Sequence, residues 1–110
     1  KMGATRTDHY TQRQNDTAAL LKALAHPARI AIIEHLLKVN SCVCGDIVEN
    51  MPLAQPTVSQ HLRELKEAGL IKGDITGNSV CYCIDEKKWK QLHKLTDTLF
   101  KKLDTNKCKC

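Results

Sequence analysis

Six cysteines fall in three Cys-x-Cys pairs, Cys42/Cys44, Cys81/Cys83 and Cys108/Cys110, in a chain of 110 residues. Thiolates are nucleophiles and soft ligands, so such pairs can capture a thiophilic ion or close disulfides. They can also be small buried residues with no chemistry at all. The first pair stands shortly ahead of the run QPTVSQHLRELKEAGLI, which begins at Gln55. That run carries the amides, hydroxyls and arginine of a helix that reads DNA. Thiols beside such a helix suggest a switch in which sulfur chemistry changes the grip on DNA.

On a regular helix, side chains two apart diverge by about 200°, which is poor for chelation, whereas on an extended segment they share a face. Cys42 and Cys44 precede the expected helix, so a shared face is expected. A nearby helix N-terminus would favour their thiolates. Cys81 and Cys83 alternate with Val80, Tyr82 and Ile84. They therefore point outward, or toward the Cys42 segment if that segment pairs with their strand. Three readings stay open for them: they join the Cys42 cluster, they respond to oxidants, or they are incidental.

The elements that must position these groups follow from periodicity. A helix is expected from about Thr11 to Ala25, with Ala18, Leu20, Leu21, Leu24 and Ala25 inward. A second, opened by Pro27, runs to about Lys38 on a stripe of Ile30, Ile33, Leu36 and Leu37. A brief extended segment over 39–43 and a short helix over 45–50 come next, with Ile47 and Val48 inward and Pro52 ending it. A helix from Gln55 or Pro56 to Ala68 is closed by Gly69. The period then switches to two. Thr76-Gly77-Asn78 marks a turn between two strands, and one long helix occupies Glu86 to Leu103. Its stripe of Trp89, Leu92, Thr96, Leu99 and Leu103 suits packing against another helix. The result is a mainly α chain with a β-hairpin, a dimeric winged helix-turn-helix whose outer helices form the dimer interface. The expected division is a flexible arm over 1–10, the folded domain over 11–103 and a Cys-containing tail over 104–110.

On the helix that follows Gln55, Val58, Leu62, Leu65 and Ala68 gather on the core side. Pro56, Ser59, Gln60, Arg63 and Glu67 point away, with Gln55 and Thr57 in the first turn. Gln pairs with adenine, Arg with guanine, and Ser or Thr with phosphates or base edges. His61 lies at the edge of the apolar face, where a packed or hydrogen-bonded structural role is expected.

The net charge of +5 fits a polyanion partner. The lysines of the last helix read instead as a solvated face. The longest apolar stretch, Ala28 to Leu37, is interrupted by Arg29, Glu34 and His35, so no membrane span is expected. The polar N-terminal residues lack the apolar core of a signal peptide. A cytoplasmic location follows as an expectation, and with it cysteines kept as ligands or redox centres rather than as a disulfide framework.

The strings LKALAHPARIAIIEHLL, CVCGDIVENMPLAQPTVSQHLRELKEAGLIKG and GNSVCYCI resemble the ArsR/SmtB family of metal- and metalloid-responsive repressors. The resemblance covers roughly Leu20 to Ile84. It is carried by Val58-Ser59-Gln60-His61-Leu62, Leu65, Gly69, Leu70, Pro27, Arg29 and the Val-x-Tyr-x-Ile strand. It implies a homodimer that binds double-stranded operator DNA and releases it when an inducer ion binds, and not an enzyme. The implied DNA contacts are Gln55, Thr57, Ser59, Gln60, Arg63, Lys72 and Asn78. The implied thiolate pair is Cys42 and Cys44, joined from the tail by Cys108 and Cys110 of the same or the opposite protomer. As(III) or Sb(III) is the implied inducer, with Cd, Pb and Zn the other thiophilic candidates.

Three departures from the family pattern stand out. His26 takes the place of a capping Asp or Ser, and Ala54 the place of Ser before the recognition helix, where Ala has no capping oxygen. The hairpin offers only Lys72 where many members carry arginines, and Asp74 and Ile75 fall where basic residues are common. The pattern of zinc-type members on the last helix is missing, and His93 and Asp97 read as a surface hydrogen bond. Two rival readings remain. One is a thiol redox or persulfide sensor on the same scaffold. The other is a small thiol oxidoreductase, which would lack both a βαβ pattern and any use for the recognition helix.

Overall fold

The computed structural model describes residues 9–44, 55–74 and 81–103. Four helices and a three-stranded sheet occur in these segments: α1 (Gln12–Leu24), α2 (Pro27–Val39), β1 (Val43–Cys44), α3 (Gln55–Glu67), β2 (Ile71–Asp74), β3 (Cys81–Ile84) and α4 (Glu86–Lys101). The short helix expected over 45–50, the turn at Thr76–Asn78 and the tail lie outside the described residues. This is the expected winged-helix order.

Local chemistry sets the helix ends. Thr11 and Gln14 form a reciprocal cap on α1. The Thr11 hydroxyl accepts from the Gln14 N–H at 3.1 Å, and the Gln14 side chain accepts from the Thr11 N–H at 2.9 Å. At α2 the cap is His26 itself, whose Nδ1 accepts the Ala28 N–H at 3.0 Å. The absent Asp or Ser is thereby replaced by a ring nitrogen. Gly69, at φ +84°, ends α3: Leu70 N–H returns to Leu65 C=O at 3.0 Å and Gly69 N–H to Lys66 C=O at 2.9 Å. Asp85 caps α4 through the Lys88 N–H at 3.2 Å.

The sheet runs in the order β1-β3-β2, antiparallel throughout. β3 is central, and its Tyr82 is fully buried. Opposite Tyr82 sits Gly73 on β2, at φ +124°, where an added Cβ would run into the Cys81 carbonyl oxygen. Only glycine allows this approach.

Val58, Leu62 and Leu65 of α3 meet Ile32, Ile33 and Leu36 of α2, with Leu70, Ile71 and Tyr82 closing the core from the sheet. The expected stripes of the first two helices need correction. In α2 the buried residues are Ala28, Ile32, Ile33 and Leu36, while Ile30 and Leu37 are exposed at 42% and 45%. In α1 the buried residues are Thr17, Leu20 and Ala23, with Ala18, Leu21 and Ala25 exposed. Both helices carry apolar residues on more than one face, and the core takes the face turned toward α3. In α4, Leu92 is buried and Trp89 and Leu95 pack against the core, but Leu99 and Phe100, and Leu103 just past its end, stand exposed. No helix among the described residues is long and apolar enough to cross a membrane.

Candidate functional site

α3 packs against α1, α2 and β2, which gives its outer face a fixed orientation. Val58, Leu62 and Leu65 anchor it in the core. His61, buried to 7% exposure, anchors its flank: His61 Nδ1 accepts from Arg29 Nε at 3.0 Å. The same guanidinium donates through Nη1 to the Ala23 carbonyl at 3.2 Å. One arginine of α2 therefore ties the end of α1 to the middle of α3. The His26 ring packs on His61 at a centroid distance of 4.3 Å, tilted by 44°. Burial, followed by the neighbouring His26 and Arg29, pushes the His61 pKa below its ordinary value of 6.5, so the ring is held neutral with Nδ1 as acceptor. His61 is the structural histidine expected from sequence. Its partner Arg29 carries no sequence signal of this role, because the two lie 32 residues apart.

The opposite face of α3 carries polar groups. Thr57, Gln60 and Arg63 are exposed and Ser59 is half-buried. Arg63 Nη2 donates to Gln60 Oε1 at 2.6 Å, and Gln60 Nε2 donates to Glu64 Oε2 at 3.0 Å. The two long side chains are thus aligned along one ridge, and the amide and guanidinium retain further donors for an outside partner. Gln55 begins α3, while its side chain and Asn78 lie outside the described residues. Lys72 is exposed on β2, directly across from Cys83, on the same sheet face as the thiols.

The sheet register sorts the cysteines. Val43 pairs with Tyr82 and Cys44 with Cys81. Because Val43 and Tyr82 point into the core, the flanking cysteines all take the other face. Cys44 and Cys81 are joined as a disulfide, their Cα atoms 4.0 Å apart. Cys42 and Cys83 are free thiols. The neighbouring Cys42 thiol, with burial second, pushes the Cys83 thiol pKa up.

Cys42 and Cys44 share a face as expected, and each has a cysteine across the strands. Cys44 lies in a disulfide with Cys81, whereas the sequence points to ligands or redox centres rather than a disulfide framework. The wing cysteines do join the Cys42 segment, which is one of the readings the sequence leaves open. Among the described residues no group of three or more Cys, His, Asp or Glu side chains is placed to hold a metal ion. Cys108 and Cys110 lie outside them. Cys42 and Cys83 line a cavity of about 350 Å³ together with Leu36, Asn40, Lys72 and Trp89. On α4, Asp97 is ion-paired at 2.9 Å with Lys101, one turn after it, rather than with His93, the partner expected one turn before it.

Comparison with known proteins falls on these same elements. Residues 26–72 match the family described as "Bacterial regulatory protein, arsR family", a span from the His26 cap to Lys72. A repressor of Mycobacterium tuberculosis named SmtB is 46% identical over 63 residues, 57% of this chain. The match spans 46% of that repressor's length. A cadmium resistance regulatory protein, a CadC homolog from Staphylococcus aureus, is 34% identical over 93 residues, 84% of this chain and 76% of that protein. The crystal structure of a possible transcriptional regulator for arsenical resistance superposes with a TM-score of 0.66 at 28% identity, covering 78% of this chain and 86% of that one.

Proposed function

Because the chain belongs to the arsR family of bacterial regulatory proteins, we propose that it is a homodimeric transcriptional repressor that binds operator DNA through α3 and releases it when its cysteine thiolates capture a soft ion. The observation that carries the DNA-binding part is the division of α3. Val58, Leu62 and Leu65 fix one side while Thr57, Gln60 and Arg63 stand exposed on the other, with Arg29 and His61 bracing the helix from behind. Gln55, Ser59, Lys72 and Asn78 complete the proposed contact set, the last two from the hairpin. A helix presented this way fits the major groove, and Arg63 and Gln60 supply the bidentate base contacts.

The inducer part rests on the four cysteines that gather where β1 and β3 pair, which supply thiolates in the reduced chain, and on relatives named for cadmium and arsenical resistance. As(III) or Sb(III) is the inducer proposed, with Cd, Pb or Zn as the other thiophilic ions. Cys42 and Cys44 are the ligands the family pattern suggests, and Cys108 and Cys110 are the tail thiols that would add to them. Operator fragments from the chain's own upstream DNA, titrated with reduced protein and then with arsenite, test the proposal. Binding followed by release supports it, and failure to bind that DNA contradicts it.

A second reading is favoured by one observation, the Cys44–Cys81 disulfide. In that reading two thiols pass two electrons and two protons to a peroxide or a low-molecular-weight disulfide, and the bond formed between β1 and β3 changes operator affinity. Operator release by such an oxidant, reversed by dithiothreitol and abolished in Cys81→Ser, would select it.

A further inference from the structure

We propose that Cys42, just ahead of β1, and Cys83 of β3 form a dithiol site that chelates a trivalent arsenical in the cavity between the sheet and α4. This rests on the thiol-responsive reading above and places its ligands at a pair that neither chain spacing nor the family pattern selects. Continuing the antiparallel register past Val43 and Tyr82 sets Cys42 across from Cys83, and both thiols line the same cavity. Residues paired across antiparallel strands project to the same face, which is the arrangement two thiolates need to share one arsenic atom. Cys42 is exposed and Cys83 half-buried, so a ligand can enter from solvent.

The count of sulfurs favours a trivalent arsenical over a tetrahedral ion. With Cys44 bonded to Cys81, two thiols remain at this face among the described residues. A structural zinc site takes four protein ligands, whereas arsenic is held by two thiolates with its third bond to a non-protein group. The reaction balances without a redox partner. Two S–H and two As–OH bonds break in R–As(OH)2, two As–S bonds form, two waters leave and arsenic stays trivalent.

The walls suit the third substituent. The cavity of about 350 Å³ has Leu36, Ile84 and Trp89 beside the thiols. That volume is in the range of small-ligand sites, roughly 300–1,000 Å³. Lys72 and Lys90 also line it. The cavity touches α2, the residues just ahead of β1, strands β2 and β3, and α4 together. An arsenic clamped there would fix the wing relative to the long helix that carries the exposed apolar residues.

Phenylarsine oxide is the probe, with intact-mass detection in excess 2-mercaptoethanol, which displaces single-thiol adducts but not chelates. The full chain carrying Cys44→Ser, Cys81→Ser, Cys108→Ser and Cys110→Ser keeps only the proposed pair. It should bind one phenylarsenical per chain, and adding Cys83→Ser or Cys42→Ser should weaken capture at least tenfold. No capture by the folded four-serine variant would overturn the site. Should that variant not fold, peptide mapping of the adduct on the wild-type chain decides. Arsenic bridging the Cys42 and Cys83 peptides supports the site, and arsenic on the single peptide holding Cys42 and Cys44 overturns it. Operator release is read separately: capture at Cys42/Cys83 without release supports the site and contradicts the inducer reading, whereas release without capture there does the reverse.

Discussion

Arg29 Nε donates to His61 Nδ1 at 3.0 Å, and this bond joins the start of α2 to the centre of the helix proposed to read DNA. The geometry requires a neutral imidazole, because Nδ1 must accept, and burial holds His61 in that form. The nearby His26 ring also uses Nδ1 as an acceptor, for the α2 cap. Two acceptor nitrogens therefore hold the frame behind the exposed face of α3.

A pH dependence follows. The folded His61 pKa lies below its ordinary value of 6.5, so the unfolded chain binds more protons between the two values. Stability from this group is fully present above pH 6.5 and is lost as pH falls through the folded pKa. Thermal melts from pH 8 down to about pH 5 should show Tm falling in the acid range. In His61→Gln, whose carbonyl can still accept from Arg29, the part of that slope due to His61 should vanish. An unchanged slope would assign it to other groups.

The polar ridge of α3 gives a direct mutational test. Arg63→Ala should weaken operator binding by about 1–3 kcal/mol, with Gln60→Ala in the same range, since each removes one bidentate base contact. Both residues are exposed, so circular dichroism and Tm should stay close to wild type. Equal affinity in both variants would move the recognition surface away from this face.

The exposed end of α4 calls for a partner. Leu99, Phe100 and Leu103 are 55%, 78% and 68% exposed, and Leu21 of α1 adds 43%. A homodimer through α1 and α4 would cover them. Leu99→Asp should shift light scattering from dimer to monomer and lose operator binding, because two half-sites must be engaged together. A wild-type chain that is monomeric at micromolar concentration and still binds operator tightly would contradict this.

At the wing, Gly73→Ala should destabilise the fold by more than about 1 kcal/mol, because the new Cβ meets the Cys81 carbonyl and the positive φ strains any L side chain. Urea unfolding measures this. A neutral effect would mean that β2 can shift away from β3 at little cost.

Much of the scaffold is legible in the sequence, and what is not legible has physical causes. Val58, Leu62 and Leu65 alternate with polar residues so regularly that helical periodicity alone specifies the buried face of α3. Gly69 and the period-two run through Tyr82 place the strands. In α2, apolar residues at Ile30, Ile32, Ile33, Leu36 and Leu37 allow more than one stripe, and tertiary packing selects Ile32 over Ile30. The His26 cap escapes a sequence reading because histidine is not among the favoured capping residues. The cysteine partners escape it because spacing along the chain says which side chains share a face, whereas the partner across the sheet depends on register.

The most direct measurement follows fluorescence anisotropy of labelled upstream DNA bound by the reduced chain as arsenite is added. Wild type should bind tightly and then lose anisotropy, whereas Cys42→Ser should bind the DNA equally well but keep it at arsenite concentrations that empty wild type. Wild-type complex that persists through arsenite, antimonite and cadmium additions alike would contradict a repressor induced by thiolate capture of a soft ion.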